Sequence, residues 1–329
     1  MSKVVVTGGA GFIGSHLVER LVADGHDVVT IDNLAVGRRS NLRAVERNGH
    51  FSFHALDLND PSAAALFAGA HTVFHLAALA DIVPSIERPE SYFRANVDGT
   101  FAVVECARRS GVRRIVYAGS SSCYGIPDFY PTPETAEIRP QYPYALTKYL
   151  GECIALHWGK VYGIPSVSLR FFNVFGPRAR TSGTYGAVFG VFLAQKLAGK
   201  PFTVVGDGTQ TRDFTYVSDI VDGIVAAADS DVKDEAINLG SGGTYSINEL
   251  VGLLNGPVQY IPKRPGEPDS TFADVTKAKR LLNWEAKVSF AEGVRSMLEH
   301  IDDWRDAPVW DAESIHKATE AWFRHLSTA

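Results

Sequence analysis

A tyrosine, a lysine and a run of serines in the middle of the chain could perform acid–base chemistry. Of the twelve tyrosines, only Tyr144 has a lysine four positions later, Lys148. On a helix these positions share a face, so phenol and ammonium can point into one cleft, where the cation lowers the phenol's pKa from its usual value near 10. Ser120 ends the strand pattern that precedes this helix and could share the proton. We therefore expect Ser120, Tyr144 and Lys148 to act as a catalytic site.

A glycine-rich turn near the N-terminus is typical of a dinucleotide site. Gly8, Gly11 and Gly14 lie between a predicted strand at 3–7 and a predicted helix at 12–23. Glycines there let the backbone approach a pyrophosphate, and the start of the helix, at Phe12 and Ile13, favours the negative charge. The turn therefore predicts a bound dinucleotide.

The end of the next predicted strand indicates which dinucleotide binds. Asp32 lies 18 positions after Gly14 and is followed by Asn33. A carboxylate at this point accepts hydrogen bonds from the adenosine ribose and repels a 2′-phosphate. We expect NAD as the cofactor, rather than NADP.

Composition and charge narrow the class of protein. The 329 residues are 45% hydrophobic and 21% charged, with a net charge of −5. This is typical of a globular chain and offers no basic surface for nucleic acid or an anionic membrane. Apolar runs are too short to span a membrane, the three cysteines are widely spaced, and no metal-ligand motif is present. We expect a cytoplasmic enzyme without a metal site.

The elements that must position these residues alternate along the first half of the chain. Short β-branched runs at 3–7, 27–32, 72–76, 114–118 and 165–169 alternate with helical patterns, notably at 89–110 and 144–162. This order predicts an α/β fold with a doubly wound parallel sheet, the Rossmann arrangement. We expect an NAD-binding domain at 1–172 and a smaller, interleaved α/β substrate lobe at 173–329. The segment at about 210–240 is expected to return to the first domain.

Further motifs show a resemblance to a known family. They include Asp32-Asn33-Leu34, His75-Leu76-Ala77-Ala78, Asn96-Val97-Asp98-Gly99-Thr100, Arg170-Phe171-Phe172-Asn173 and Arg264-Pro265-Gly266-Glu267. With the turn and the Tyr144–Lys148 pair, the chain resembles an extended short-chain dehydrogenase/reductase of the NAD-dependent nucleotide-sugar epimerase/dehydratase family. In pattern it is most similar to the UDP-glucose 4-epimerases.

The resemblance implies roles for residues matched to its motifs. Asp57 and Leu58 would flank the adenine, Ala77 and Ala78 would line the path of NAD, and Asn96 would support the active site. Ser120, Tyr144 and Lys148 match the catalytic triad of the family. The residues expected to contact the nucleotide sugar are Ser121, Ser122, Asn173, Arg180, Arg212, Arg264 and Thr271. Of these, Asn173, Arg212 and Arg264 match residues that hold the diphosphate of the substrate in the family.

The resemblance also narrows the reaction. Sugar 4,6-dehydratases carry an acidic pair where this chain has Ser121 and Ser122, and UDP-glucuronate decarboxylases usually keep a glutamate at the second position. Without that acid, the simplest outcome is epimerisation at C4 of a UDP-hexose, either the glucose/galactose pair or the N-acetylhexosamine pair. A keto group forms at C4, the sugar turns in the pocket, and NAD is regenerated.

The identity of the sugar is less constrained. Thr271 matches a pocket position where a small residue could admit a 2-acetamido sugar, and Asn173 fits the neutral sugars. The run Ser120–Ser122 and Arg180 are similar to features of the UDP-glucuronate 4-epimerases, which stay as the alternative. The helices near 90–110 and 144–162 resemble those that pair between two subunits of the family, so a homodimer is expected.

Overall fold

The computed structural model describes residues 1–179 and 187–326. Its first half alternates strands and helices, as the sequence predicts. The strands are β1 (Lys3–Thr7), β2 (Asp27–Asp32), β3 (Phe51–Ala55), β4 (Thr72–His75), β5 (Arg114–Ser120) and β6 (Ser166–Phe171). The helices are α1 (Phe12–Ala23), α2 (Ile82–Glu87), α3 (Pro89–Phe93), α4 (Gly99–Arg109) and α5 (Pro143–Tyr162).

The second half has shorter strands between its helices. The strands are β7 (Asn173–Phe175), β8 (Phe202–Val205), β9 (Thr211–Arg212), β10 (Phe214–Tyr216), β11 (Glu235–Leu239), β12 (Tyr245–Ser246) and β13 (Val258–Ile261). The helices are α6 (Val188–Leu197), α7 (Val217–Asp229), α8 (Ile247–Leu254), α9 (Thr276–Leu282), α10 (Phe290–Glu299), α11 (Ala312–Ala318) and α12 (Glu320–Leu326).

Seven parallel strands form the central sheet in the order β11-β6-β5-β4-β1-β2-β3. Helices cover both faces, since α1 and α7 pack together on one side and α4 and α5 on the other. The doubly wound Rossmann fold expected from the sequence is confirmed. The strand order reverses between β1 and β4, and open α/β sheets bind their ligands at such a switch point.

The substrate lobe is built from small sheets around an aromatic core. The paired strands are β7 with β10, β9 with β12, and β8 with β13. Phe175, Phe189, Phe214 and Phe290 stack at its centre, with ring centroids 4.7–6.4 Å apart. Between these strands the chain returns to the large sheet as β11. We keep 1–172 and 173–329 as the proposed division into domains, and the segment 235–239 returns from the second to the sheet of the first.

Two features differ from the sequence prediction. Strand β3 has no counterpart in the prediction, because at the edge of the sheet its side chains alternate between half-buried and exposed and give a weak pattern. The single helix expected at 89–110 is divided by a π-helical turn at Arg94–Asp98. That turn contains the buried Asn96, and π-turns often occur at functional sites.

A buried ion pair joins α5 to the sheet. Glu152 on α5 accepts hydrogen bonds from the Arg170 guanidinium on β6 at 2.5 and 3.0 Å, and from the Ser168 hydroxyl at 2.7 Å. Only 4% of the Glu152 side chain and 7% of the Arg170 side chain are exposed. Arg170 also donates to the Tyr124 hydroxyl at 2.8 Å, and Tyr124 donates to Asn238 of β11 at 2.7 Å. One polar network therefore connects α5, β6, β11 and the turn that follows β5.

No helix within the described ranges combines the length and the apolar character needed to cross a bilayer.

We predict that Glu152→Gln destabilises the protein by about 3–5 kcal/mol, because it leaves the Arg170 guanidinium buried without a counter-charge. Urea unfolding followed by circular dichroism measures the loss. Glu285→Gln removes an exposed partner of Lys279 and serves as the control, with an unchanged midpoint. Equal midpoints for the two variants would contradict the structural role of the buried pair.

Candidate active site

A cavity of about 610 Å³ lies at the carboxyl ends of β1, β2, β4 and β5, at the switch point of the sheet. It contains nearly all the residues expected to bind the cofactor. Those that line it are Gly8, Gly11, Phe12, Ile13, Gly14, Asp32, Asn33, Asp57, Leu58, Ala77, Ala78, Tyr144 and Lys148. Residues distant in the sequence thus converge where the cofactor and the reacting groups must meet.

The glycine turn forms a tight backbone cradle. Gly8 has a φ of +72°, and a Cβ there would lie 2.6 Å from the Ala77 backbone nitrogen. A Cβ on Gly14 would overlap the Gly8 carbonyl group. Gly11 is the N-cap of α1 and has no side chain, whereas Ser246 of α8 caps its helix with a hydroxyl. The first N–H groups of α1 are therefore left to a ligand, and the turn fits a dinucleotide pyrophosphate.

The end of the cavity that adjoins the glycine turn carries two carboxylates. Asp32 accepts hydrogen bonds from the Leu34 and Ala10 N–H groups at 2.8 and 3.0 Å, and burial raises the pKa of its carboxyl group. Asn33 donates to Asp57 at 3.0 Å. The Asn59 backbone N–H also bonds Asp57 and lowers its pKa. Two acids at this end suit ribose hydroxyls and oppose an added phosphate, in agreement with NAD.

Asn96 lies behind the cavity wall and does not line the cavity. Its side chain is bonded to the backbone of Leu79 in both directions, at 2.8 and 3.0 Å, and to the Thr147 hydroxyl at 3.0 Å. It connects the loop after β4 to α5 and is fully buried. Its place in the structure is therefore that of a positioning residue, in agreement with the supporting role that the resemblance implies.

The expected catalytic residues come together at the end of β5. The Tyr144 phenol donates to the Ser120 hydroxyl at 3.2 Å, and the Ser120 and Ser122 hydroxyls are 2.8 Å apart. Tyr144 and Lys148 both line the cavity. The Lys148 ammonium lies over the Tyr117 ring, 4.4 Å from its centroid. The phenol and the hydroxyls thus form one hydrogen-bonded group, and the ammonium lines the same cavity.

The electrostatics of this group differ from the sequence expectation. Burial raises the pKa of Tyr144, the Asp81 carboxylate adds to that rise, and hydrogen bonds with Ser120 and Ser122 oppose it. Burial also lowers the pKa of Lys148 to about 7, against the raising effect of Glu152. Near neutral pH the lysine is thus only partly charged, and the protein alone does not lower the pKa of Tyr144 as the sequence predicted.

The two arginines expected to bind a diphosphate converge on one glutamate. Arg212 donates to Glu267 at 2.7 Å, and Arg264 lies 3.7 Å from the other oxygen of the same carboxylate. Both guanidinium groups are nearly buried. Two preorganised, planar cations on adjacent loops are suited to a pyrophosphate.

Asn173 and Thr271 are bonded to each other. The Thr271 hydroxyl donates to the Asn173 side-chain oxygen at 2.7 Å and accepts from the Asp213 N–H at 3.1 Å. Asp213 is buried and accepts from the Ser241 and Ala273 N–H groups at 2.6 and 3.0 Å. Thr271, which matches a pocket position in the family, is therefore hydrogen-bonded to Asn173, an expected substrate residue, and both belong to a cluster around Asp213.

The remaining predicted substrate residues are placed as follows. Ser121 and Ser122 begin the 3₁₀ turn at Ser121–Tyr124, directly after Ser120. Arg180 lies outside the described residues. Among the described residues, no three metal-ligating side chains cluster.

Sequence reasoning missed several side chains at the site. Asp81 lines the cavity, Glu267 joins the two arginines, and Tyr142 stacks on Tyr144 with ring centroids 6.3 Å apart. Glu152 could have been found, because it follows Lys148 by four residues on the same helix face. Glu267 ends the family motif that begins at Arg264, but the motif does not reveal its pairing with Arg212, which is remote in sequence. Tyr142 gave no signal, since its contacts depend on the fold.

Comparison with known proteins identifies the class. The chain belongs to the NAD dependent epimerase/dehydratase family, whose profile matches residues 4–240. The protein is thus an NAD-using enzyme of the UDP-sugar 4-epimerase class, as the cavity and the bonded Tyr144–Ser120 pair indicate.

Individual relatives are similar over nearly their whole length. A UDP-glucose 4-epimerase of Mycolicibacterium smegmatis is 37% identical over 306 residues, which are 90% of this chain and 97% of the relative. The crystal structure of a Thermotoga maritima UDP-glucose 4-epimerase with UDP-glucose has a TM-score of 0.85 and 33% identity, covering 91% of this chain and 98% of that one. A Bacillus cereus UDP-glucuronic acid 4-epimerase with UDP-glucuronic acid and NAD has a TM-score of 0.86 and 32% identity, covering 91% and 99%.

Proposed function

We propose that the protein interconverts the C4 epimers of a UDP-hexose, either UDP-glucose and UDP-galactose or the corresponding N-acetylhexosamine pair. The observation that carries this proposal is the Tyr144 phenol, bonded to Ser120 at 3.2 Å within the cavity that the cofactor residues line. Ser121 and Ser122, where related dehydratases carry acids, support epimerisation over elimination.

The proton step is assigned to Tyr144. In its phenolate form, Tyr144 receives the proton of the C4 hydroxyl and later returns it to the 4-keto sugar, while Ser120 and Ser122 orient the exchange by hydrogen bonds. NAD held by the glycine turn and Asp32 would supply the acceptor and donor of the C4 hydride, and its positive ring would favour the phenolate. The partly charged Lys148, one turn further along α5, adds to that stabilisation.

The diphosphate must stay anchored while the sugar turns. Glu267 pairs with Arg212 at the end of β9 and with Arg264 on a loop, and the two guanidinium groups can together bind the diphosphate. The sugar then needs no strong fixed contacts of its own. Because the diphosphate is held and the sugar ring is free to turn, either face of C4 can reach Tyr144.

The position of Asp81 favours a neutral sugar as the substrate. Its carboxylate lines the cavity with Tyr144 and acts electrostatically on the phenol. A uronate carboxylate in the same space would meet a like charge. UDP-glucuronate 4-epimerisation is the second candidate, favoured by the Ser120–Ser122 hydroxyls and by the likeness to the Bacillus cereus enzyme.

We predict that Tyr144→Phe lowers kcat by about 10²–10⁴-fold, because it removes the proton acceptor and donor. The bound NAD, released by heat and measured enzymatically, should be unchanged. Tyr260→Phe on an exposed strand is the matched control and should keep full activity. Wild-type turnover by Tyr144→Phe would overturn the mechanism.

A second prediction concerns the sugar. Chromatography of products from UDP-glucose, UDP-N-acetylglucosamine and UDP-glucuronate should show epimerisation of a neutral sugar and little of the uronate. Asp81→Asn removes the opposing charge and should raise kcat/KM for UDP-glucuronate about tenfold relative to the neutral sugar. Asp231→Asn, on the surface, should leave that ratio unchanged. Preference of the wild type for UDP-glucuronate would instead establish the second candidate.

We also propose a homodimer formed through α4 and α5. Phe101, Leu146, Val161 and Tyr162 on these helices are each 45% or more exposed. Such an apolar surface is unusual on a monomer. Light scattering should give twice the chain mass for the wild type and a single chain mass for Phe101→Glu. Tyr260→Glu, on an exposed strand elsewhere, should remain dimeric, and a monomeric wild type would refute the proposal.

A further inference from the structure

Trp322 of α12 lies beyond the last family motif, Arg264-Pro265-Gly266-Glu267, and packs against the active-site region. It is 4% exposed and shares a small apolar cluster with Val83 of α2 and Leu326. Helix α2 begins immediately after Asp81, which lines the cavity. The C-terminal helix is thus packed onto an element that borders the reacting groups.

The indole of Trp322 fixes the loop that carries one of the diphosphate arginines. Its Nε1–H donates to the Pro265 carbonyl at 2.7 Å. The Arg264 guanidinium lies over the same ring, 5.5 Å from the centroid. One side chain therefore holds both the backbone of this loop and the cation that the loop presents.

The same indole also contacts the start of the catalytic helix. Tyr142, the N-cap residue of α5, lies 6.4 Å from Trp322 between ring centroids. Tyr142 in turn stacks nearly parallel on Tyr144, at 6.3 Å and 8°. A continuous line of aromatic rings therefore runs from the C-terminal helix to the catalytic phenol.

We propose that Trp322 is a positioning residue that sets the distance between the diphosphate anchor and the catalytic tyrosine. This inference rests on the proposed function only in assigning Arg264 to the diphosphate. Arg264 of the anchor lies on a loop and the phenol on α5, and Trp322 contacts the Arg264 loop directly and reaches Tyr144 through Tyr142. Helix α12 thereby becomes part of the active-site framework.

The test compares two tryptophans that are equally buried and donate one hydrogen bond each but lie in different parts of the structure. Trp284 is also 4% exposed, and its Nε1–H donates to the Asp219 carbonyl at 2.8 Å, but it packs in the core beside α7. Trp322→Phe and Trp284→Phe each keep a ring and lose one N–H donor. Their stabilities, measured by urea unfolding, should fall by similar amounts.

Only Trp322→Phe should change the kinetic constants and the binding of the substrate. We expect its KM for the UDP-sugar to rise about tenfold, with a smaller fall in kcat, and its content of bound NAD to stay at the wild-type level. Its affinity for UDP, measured by calorimetry, should fall more than its affinity for uridine, because the effect passes through Arg264. Trp284→Phe should leave all five quantities unchanged.

A double-variant cycle separates positioning from general packing. Once Arg264→Met has removed the guanidinium, Trp322→Phe should add little further loss of UDP affinity. Equal KM values for Trp322→Phe and Trp284→Phe, or additive losses in the cycle, would overturn the inference. The absence of epimerisation by the wild type would instead refute the proposed function, while the UDP and uridine measurements still decide the role of Trp322.

Discussion

The buried pair of Glu152 and Arg170 is the interaction on which the rest of the site depends. A carboxylate without a partner could not stay charged in this place, and a guanidinium cannot lose its proton. The pair therefore fixes the register of α5 against β6. Since Tyr144 and Lys148 lie on the same helix, their depth in the cavity follows from that register. Through Tyr124 and Asn238 the same network reaches β11, the strand with which the later part of the chain re-enters the sheet.

The cofactor cavity depends on backbone geometry at the glycine turn, and the group of expected substrate residues depends on side-chain networks. At Gly8 and Gly14 any side chain would collide with neighbouring backbone, so the turn has one shape. Among the expected substrate residues, Thr271 and Asn173 are joined with Asp213 by hydrogen bonds between separate segments of the chain. This difference suits a bound cofactor that stays in place and a nucleotide sugar that must enter, turn and leave.

Sequence reasoning succeeds where the signal is local. Each successful prediction rests on one or two neighbouring elements: the turn after β1, the end of β2, and the Tyr144–Lys148 spacing on α5. Family motifs include these same segments. It fails where burial or a distant partner decides the outcome. The pKa of Lys148 depends on a protein interior that spacing does not reveal. Asn96 belongs to a family motif, but the motif does not reveal that its side chain joins the loop after β4 to α5.

Glu267 gives the proposed diphosphate anchor, Arg212 and Arg264, a property that arginines alone would lack. Counting only these two arginines and this glutamate, the anchor carries a single excess positive charge, and both guanidinium groups already have an internal partner. A small inorganic anion would gain little by competing for groups that are already paired. A nucleotide sugar would compete better, because its base, ribose and sugar would add contacts elsewhere. In the proposed function, the carboxylate would therefore favour a nucleotide sugar over simple anions at these arginines.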